Sequence, residues 1–436
     1  MTQTNRTRSL PAPTLTRAVA RWANPSPVGA LALAAILALA PASCADVMGP
    51  PERLDALPRP LSVAEQEVIT SANDFSFRLL RRVVEDDDET ANVILSPFSV
   101  SMALGMTLNG AGGTTFDSMR SALGVADLDQ ERINSAYHDL TALLLGLDSR
   151  TETRIANSLW ARRGFPFEAS FFQTVRQVFG AHAEELDFAA PEARGIINGW
   201  VRDNTGGRID DIVQEITPDD ILFLVNAVYF KGQWTQRFDP AETRPAPFHL
   251  PGISEPVEVP TMSGTLDVGT FRDLASGVAG GELPYGAQAF TMVVVMPPPG
   301  TSVDDLVASL DASIWDSWMQ RIRYAEAPVL LPKLEVAYET RLNEPLARMG
   351  MRLAFDPDHA DFSRISPVSG VYLSRVRHKT FLQVDEEGTE AAAATSVGVG
   401  VTSVPAGLVV DRPFVLAIRE RLSGTILFLG VVRDPR

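Results

Sequence analysis

The sequence predicts a mixed α+β domain that follows an export leader and a proline-rich spacer. Helical patterns dominate the first half of the chain, strand patterns dominate the second half, and no internal repeat is visible. That order favours an α+β fold over regular βαβ winding. With 436 residues, of which 45% are hydrophobic and 21% charged, the chain is long enough to bury a large core.

The first 43 residues have the layout of a secretory signal. Four arginines precede any acidic residue: Arg6, Arg8, Arg17 and Arg21. An apolar run from Val28 to Leu39 follows, and it ends in small residues. The run is shorter than the ~20 residues of a comfortable membrane span. The prolines that bracket it, Pro25, Pro27 and Pro41, disfavour a buried helix. We therefore expect export.

Cys44 is the only cysteine, so no intramolecular disulfide can form. It lies where a bacterial lipoprotein signal places its lipidated cysteine, although Pro41 replaces the usual leucine. Ordinary cleavage after Ala42 is the alternative, and it would leave a free thiol. Residues 44–60 then form a proline-rich tether, and residues 61–436 form the domain. We expect a cell-envelope lipoprotein held to the membrane through Cys44, or an extracellular or periplasmic protein.

The helices of the first half follow from caps and apolar spacing. Ser62 and Glu65 form a capping-box pattern, and an apolar stripe runs from Val68 to Val83. The acidic run Asp86–Thr90 is predicted as a turn. The further predicted helices run from Ser96-Pro97 to about Asn109, over Phe116–Leu123, over Arg132–Leu147 and over Ile196–Thr205.

The strands are predicted from alternation or from short apolar runs rich in β-branched residues. They are Arg154–Ala161, Ile221–Phe230, Thr291–Met296, Val329–Tyr338 around Pro332, Thr380–Val384, Phe414–Ile418 and Thr425–Val432.

Charge and motifs argue against several function classes. A net charge of −16 and a pI near 4.8 disfavour nucleic acid as a partner, because phosphates would be repelled. The five histidines show no metal-ligand spacing, and the chain has neither a P-loop nor a GxSxG elbow. A Ser/His/Asp triad with distant members stays open. We therefore predict no enzyme, no metal and no cofactor.

The segment Glu386–Pro405 has no charge after Glu390 and no aromatic residue. A disordered linker is one interpretation, but long structureless loops inside a domain are usually functional. Read with period two from Thr389, one set of positions is small or β-branched throughout: Thr389, Ala391, Ala393, Thr395, Val397, Val399 and Val401. The segment could therefore enter a sheet as a strand without burying charge.

Several blocks, in register from Leu61 to Pro435, resemble the serpin family. The family's hinge pattern matches Glu386, Glu387, Gly388, Thr389, Glu390, the four alanines Ala391, Ala392, Ala393 and Ala394, and Thr395. Other matching blocks are NVILSPFS from Asn92, NSLW from Asn157, NGWVRDNTGGRI from Asn198, LVNAVYFKGQW from Leu224, DRPFVLAIRE from Asp411 and GTILFLGVVRDP from Gly424. The N-terminal leader and tether depart from the family core.

The resemblance implies a fold of mixed helices with three β-sheets and an exposed reactive-centre loop. It also implies a monomeric suicide inhibitor that forms a covalent acyl complex with a serine protease. The family's polar shutter cluster corresponds to Ser96, Ser99, Asn226 and His378, and its breach, where insertion begins, corresponds to Trp234.

Counting from the hinge and back from Pro413 places the cleaved bond at Thr402–Ser403, with Val401 and Val404 as alternative cleavage positions. A small residue at that bond suits elastase-like or subtilisin-like proteases. The alternatives are a non-inhibitory serpin, which would act as a chaperone or a binding scaffold, and a serpin that targets papain-like cysteine proteases.

Overall fold

The structure is a computed structural model that describes residues 53–87, 90–217, 220–389 and 407–436. The predicted leader, Cys44 and the predicted cleavage position at Thr402–Ser403 lie outside these ranges. So do Glu390 and the four hinge alanines, Ala391–Ala394. In the described part of the chain, no helix is long and apolar enough to cross a membrane.

The helices lie mostly in the first half, as predicted. They are α1 Val63–Asp86, α2 Pro97–Leu108, α3 Gly113–Leu123, α4 Gln130–Gly146, α5 Ala169–Phe179, α6 Ala193–Asn204, α7 Val303–Ser309, α8 Ala312–Arg321 and α9 Asn343–Leu346. The capping box of Ser62 and Glu65 is present at the start of α1. Helix α1 continues to Asp86, so the acidic run begins inside the helix and not in a turn.

The strands are β1 Val93–Leu95, β2 Thr151–Arg162, β3 His182–Leu186, β4 Leu222–Gln233, β5 Arg244–Phe248, β6 Val257–Arg272, β7 Ala279–Pro284, β8 Phe290–Met296, β9 Arg323–Pro332, β10 Leu334–Arg341, β11 Val376–Val384, β12 Gly388–Thr389, β13 Leu408–Val409, β14 Phe414–Glu420 and β15 Ile426–Val432.

Backbone hydrogen bonds join the described strands into two networks. The larger has nine strands in the order β1-β15-β14-β8-β7-β6-β9-β13, with β5 also paired to β6. The smaller has six strands in the order β10-β11-β4-β2-β3, with β12 also paired to β4. The mixed helix-and-sheet fold is confirmed. Two of the three expected sheets are joined into the nine-stranded network. The long strand β6 joins them, because it pairs with β7 at one end and with β5 and β9 along the rest.

The predicted strand Val329–Tyr338 is two strands in different sheets. Strand β9 ends at Pro332 in the nine-stranded network, and β10 begins at Leu334 and pairs with β11 in the other. Proline has no backbone N–H to continue a ladder, so the chain changes sheets at this point.

Two hydrophobic clusters cover the two faces of the six-stranded sheet. The inner face contributes Leu224, Val228 and Phe230 to the main core, to which the almost wholly buried helix α2 also belongs. The outer face contributes Val225 and Ala227 to a smaller cluster, together with residues of α6. Because both faces of β4 are covered, nearly all of its residues are buried.

Candidate functional site

Strands β4 and β11 separate along part of their length. They pair in parallel over five residues only, from Val376 opposite Leu224 to Thr380 opposite Val228. Strand β11 continues to Val384 and β4 continues to Gln233 without further pairing between the two. The six-stranded sheet is therefore closed at one end of this boundary and open at the other.

The start of the predicted hinge lies at the open end. Strand β12 pairs in antiparallel fashion with the end of β4, with Gly388 opposite Gln233 and Thr389 opposite Gly232. Gly388 has φ of +145°, and a Cβ atom there would lie 2.0 Å from the carbonyl oxygen of Gly232. Only glycine fits this approach without displacing the backbone. The hinge thus already occupies the first two positions of an additional strand.

Glu386 anchors the hinge to the body. Its carboxylate accepts bonds from Lys333 Nζ at 2.7 and 3.0 Å and from Thr243 Oγ1 at 2.7 Å. Burial raises the pKa of Glu386, but the bonds from Lys333 and Thr243 outweigh it and hold the pKa below its usual value. The backbone N–H of Phe238 also donates to the Glu386 carbonyl, at 2.9 Å.

Trp234 binds the backbone on either side of Glu386. Its indole Nε1–H donates to the Asp385 carbonyl at 2.9 Å, and its backbone N–H donates to the Glu387 carbonyl at 2.8 Å. The indole stacks on the ring of Tyr285, with centroids 4.4 Å apart and planes at 8°. Trp234 therefore joins the start of the hinge to the end of β4.

The predicted shutter residues come together beneath the closed end of the boundary. Ser96 Oγ donates to the Leu427 carbonyl at 2.8 Å and lies 3.1 Å from Ser99 Oγ, which can donate to it, so this N-cap hydroxyl does not cap α2. The Ser96 backbone N–H donates to His378 Nε2 at 2.9 Å. His378 is opposite Asn226 across the two strands.

Two polar atoms of the predicted shutter have no hydrogen-bond partner among the residues that the structure describes. Because His378 Nε2 accepts a hydrogen bond, its proton belongs on Nδ1, and that Nδ1 is buried without an acceptor. Asn226 donates through Nδ2 to Asn157 Oδ1 at 2.7 Å, but its own Oδ1 has no donor. Burial lowers the pKa of His378 to about 3, so the imidazole is neutral near pH 7.

Four residues that complete the site were not identified from the sequence. Lys333 and Thr243 bind Glu386, Asn157 binds Asn226, and Tyr285 stacks on Trp234. Asn157 opens the quoted NSLW block, but its contact with Asn226 follows from the β2–β4 register. The three residues from other elements carry no local sequence signal.

The described histidines and acidic residues form no group of three or more that could hold a metal ion. His378 lies in the predicted shutter cluster, where its Nε2 accepts a hydrogen bond from the Ser96 backbone N–H. Among the residues that the structure describes, the predicted site residues therefore lie in two places: at the anchored start of the hinge and in a buried polar cluster.

Comparison with known proteins agrees with this geometry. The family profile Serpin (serine protease inhibitor) matches residues 70–435. An uncharacterized serpin-like protein of Thermococcus kodakarensis is 33% identical, over 85% of this chain and 87% of its own length. Human neuroserpin is 32% identical, over 85% of this chain and 92% of its own length.

Solved structures give the same result. The thermophilic serpin tengpin in its native state superimposes with a TM-score of 0.77 and 28% identity, covering 88% of this chain and 97% of its own. Mouse protein-Z dependent protease inhibitor gives a TM-score of 0.77 and 28% identity, over 86% and 98%. Proteins of this family inhibit serine proteases and are not enzymes. The family profile, the relatives and the hinge-and-shutter geometry together establish that this chain belongs to the serpin family.

Proposed function

We propose that the chain inhibits serine proteases by inserting its cleaved loop as a new strand between β4 and β11. The observation that carries the proposal is the partly open boundary between these strands, whose open end already holds Gly388 and Thr389 in register with β4. The cleaved loop can extend β12 as a strand along β4 without any change of direction.

The existing register assigns a place to each following residue. If it were continued residue by residue from Thr389 opposite Gly232, it would put Ala391 opposite Phe230 and Ala393 opposite Val228. Residues directly opposite in an antiparallel pair point to the same face. Phe230 and Val228 belong to the main core, so the small-residue set of the loop faces inward. A bulky charge on that set would stop insertion.

The same register puts Thr395 opposite Asn226. Asn226 is in turn opposite His378, so Thr395 would enter between the two shutter residues. A threonine hydroxyl both donates and accepts. It can donate to Asn226 Oδ1 and accept from His378 Nδ1–H, the two atoms that lack partners before insertion. Insertion thus completes the shutter.

The free energy for insertion comes from several terms. Each new backbone hydrogen bond contributes ~0.5–1.5 kcal/mol net, and ordering each residue costs ~1–2 kcal/mol, so these terms nearly cancel. The surplus comes from burying the alanine and valine side chains and from satisfying the shutter. Before cleavage the chain is trapped kinetically, because the loop is held at both ends.

In the proposed reaction, the serine of the protease attacks the carbonyl of Thr402, and the bond to Ser403 breaks to leave an acyl-enzyme. Thirteen residues from Thr389 to Val401, at ~3.3 Å each, would carry the acyl group roughly 40–50 Å. The protease is moved with it and is deformed before water completes hydrolysis. Thr402 after Val401 favours an elastase-like or subtilisin-like target, with Val401 and Val404 as secondary cleavage positions.

We further propose that residues 1–43 direct export and that Cys44 is lipidated, with residues 44–60 as the tether of a monomeric inhibitor domain. The basic start, the short apolar run and the position of Cys44 support this. Intact mass of the mature protein from membranes tests it. A diacylglycerol-sized mass increase on Cys44 is expected, and a free thiol or an uncleaved leader would contradict it.

The inhibition is tested by mixing the purified protein with an elastase or a subtilisin and looking for a covalent adduct that survives denaturant. We expect an adduct, and we expect mass spectrometry to show a released peptide that begins at Ser403. Thr389→Arg, on the inward set, should turn the inhibitor into a substrate. Glu390→Arg is the matched control on the outward set, and it should still form the adduct.

Efficient cleavage of the unaltered protein without any adduct would contradict the proposal and would favour a non-inhibitory serpin. One solved neighbour, human thyroxine-binding globulin, was determined with its hormone bound and superimposes with a TM-score of 0.78 and 28% identity. The small, uncharged hinge set of this chain favours insertion over that alternative.

A further inference from the structure

The segment Arg53–Pro60, which belongs to the predicted tether, is attached to the body at two places. At one end, the Leu54 N–H donates to the Ala287 carbonyl at 2.9 Å, and the half-buried Leu54 side chain packs against the main core. At the other end, Arg59 bonds to Glu65 at 2.6 and 2.9 Å and to the Asp139 carbonyl at 3.0 Å. This part of the proposed tether therefore contacts the folded domain at both of its ends.

Arg421 ties this segment to the turn between β7 and β8, residues 285–289, which we name the β7–β8 turn. Its Nη2 donates to the Leu54 carbonyl at 2.5 Å, and its Nε donates to the Gln288 carbonyl at 2.9 Å. One guanidinium thus holds a residue of the N-terminal segment and a residue of the turn together. Removing it would take one hydrogen bond from each of them.

The β7–β8 turn in turn holds the end of β4. Tyr285 stacks on Trp234, and the Gly286 N–H donates to the Gln233 carbonyl at 2.8 Å. Gln233 is the residue opposite Gly388 of the hinge. A continuous series of bonds therefore runs from Leu54 through the turn to the point where insertion begins.

The region around Trp234 contains a cavity and one residue in an unfavourable backbone conformation. A cavity of about 130 Å³ lies beside Trp234 and is also lined by Gln288. Gln288 is the one non-glycine residue with positive φ, +64°, in the described part of the chain. Such a conformation persists only where neighbouring contacts impose it. The turn therefore depends on its partners, and Trp234 has space to shift if those partners are lost.

We propose that Leu54 and Arg421 form a clasp that fixes the β7–β8 turn behind Trp234 and slows entry of the uncut loop into the sheet. This inference rests on the proposed function. With the clasp released, Trp234 can shift toward the cavity, the end of β4 loosens, and the hinge advances into the sheet without cleavage. The segment that leads from the membrane tether is then also the segment that sets the lifetime of the active inhibitor.

The test compares three variants of the full chain. Arg421→Met removes the guanidinium and keeps the apolar stem, and Leu54→Pro removes the N–H that binds Ala287. Arg59→Met is the matched control, because Arg59 holds the same segment to α1 and α4 through Glu65 and the Asp139 carbonyl, and not to the turn. Amide exchange is measured in peptides covering residues 230–238 and 283–290. In parallel, the uncut protein is incubated at elevated temperature, and the half-life of its inhibitory activity is measured.

For Arg421→Met and Leu54→Pro, we expect faster exchange in both peptides and a half-life shorter by about tenfold, from the loss of bonds to a charged group. Arg59→Met should change neither, even if it lowers overall stability. Unchanged exchange in the first two variants overturns the clasp, and so does faster exchange with an unchanged half-life. If the unaltered protein forms no protease adduct at all, the proposed function fails, and the exchange data alone then decide whether the clasp holds the turn. If one clasp variant fails to fold, the other still decides.

Discussion

The breach around Trp234 and the shutter around His378 lie along the same boundary between β4 and β11, yet their polar groups are satisfied differently. At the breach, Lys333 and Thr243 bind Glu386, and Trp234 binds two hinge carbonyls. At the shutter, Asn226 Oδ1 and His378 Nδ1 are buried and have no hydrogen-bond partner in the described part of the chain. The native fold thus stabilises the point where the proposed insertion would start, and it leaves polar groups unsatisfied at the point that the inserting strand would reach later.

This difference suggests how a metastable state can be both long-lived and able to change. Bonds at the breach keep Gly388 and Thr389 in register with β4, and the uncut loop is held at both ends, so the native state would persist until cleavage. Unsatisfied groups at the shutter raise the free energy of the native state by about 1–3 kcal/mol each. Their satisfaction after insertion contributes to the driving force. The following predictions test one region against the other, beginning with the largest expected effect.

Gly388→Val should have the largest effect, because its Cβ would lie 2.0 Å from the Gly232 carbonyl oxygen in a backbone with φ of +145°. We expect the hinge to leave its pairing with β4, a destabilisation of about 3 kcal/mol or more, and at least a tenfold loss in inhibition rate. Denaturant unfolding and inhibition kinetics measure both. Gly164→Ala is the control, because Gly164 also has positive φ but has no neighbour within 4 Å, and it should cost only about 1 kcal/mol. Equal effects at the two sites would contradict the close approach.

Lys333→Met should weaken the breach by leaving Glu386 without its cation. Lys333 is 39% exposed and the Glu386 side chain only 10%, so we expect a loss of about 1–2 kcal/mol. Arg82→Met is the control at the exposed Arg82–Glu85 pair, where the loss should be below about 0.5 kcal/mol. Urea unfolding measures both losses. If Lys333→Met lowers the free energy of unfolding no more than Arg82→Met does, the Lys333–Glu386 pair does not stabilise the fold.

The pH dependence of the breach follows from the lowered pKa of Glu386. The unfolded state binds the proton more tightly, so the stabilisation is present above the usual glutamate pKa of 4.5 and is lost as pH falls through the lowered value. In Lys333→Met this acid-side loss should shrink. An unchanged pH profile would show that Lys333 does not set the protonation of Glu386.

The shutter should respond to pH over a different window. Because the folded pKa of His378 is about 3 and the usual value 6.5, the unfolded state binds more protons between these values. Stability should therefore fall as pH falls from 6.5 toward 3, by up to about 1.4 kcal/mol per pH unit. His378→Gln should remove this slope, whereas His359→Gln, at an exposed position, should keep it. If stability depends on pH in the same way in both variants, His378 is not buried in its neutral form.

Thr395→Val is expected to have the smallest and most selective effect. It keeps the shape of the side chain and removes the hydroxyl that would satisfy the two shutter atoms, so only the cleaved, inserted form should lose about 1 kcal/mol or more. Ser396→Ala, on the outward set, is the control and should change neither form. A loss of similar size in the uncut protein would contradict the proposed position of Thr395 in the inserted sheet.

The sequence predicted the fold class and the main helices because caps and apolar spacing are local signals. It also predicted that Ser96, Ser99, Asn226 and His378 belong together, through the resemblance to a family. It did not predict the change of sheet at Pro332, because alternation continues across that residue while the hydrogen-bond partners change.

Local sequence patterns could not predict which residues bind the hinge. Lys333 meets Glu386 across 53 positions and Thr243 meets it across 143, so neither contact leaves a periodic signal. The unpartnered atoms of the shutter were equally hidden, since a sequence contains side chains but not their unmet hydrogen bonds. The attachment of Leu54 to Ala287 was missed because prolines around the segment dominate its composition.

The most direct test of the account compares the denaturant midpoint of the intact protein with that of the same protein cut within residues 390–406. If the cut loop becomes a new strand between β4 and β11, the cut protein should unfold at a much higher denaturant concentration than the intact protein. If the two midpoints coincide, or if the cut protein unfolds first, the boundary does not accept the loop and the account is wrong.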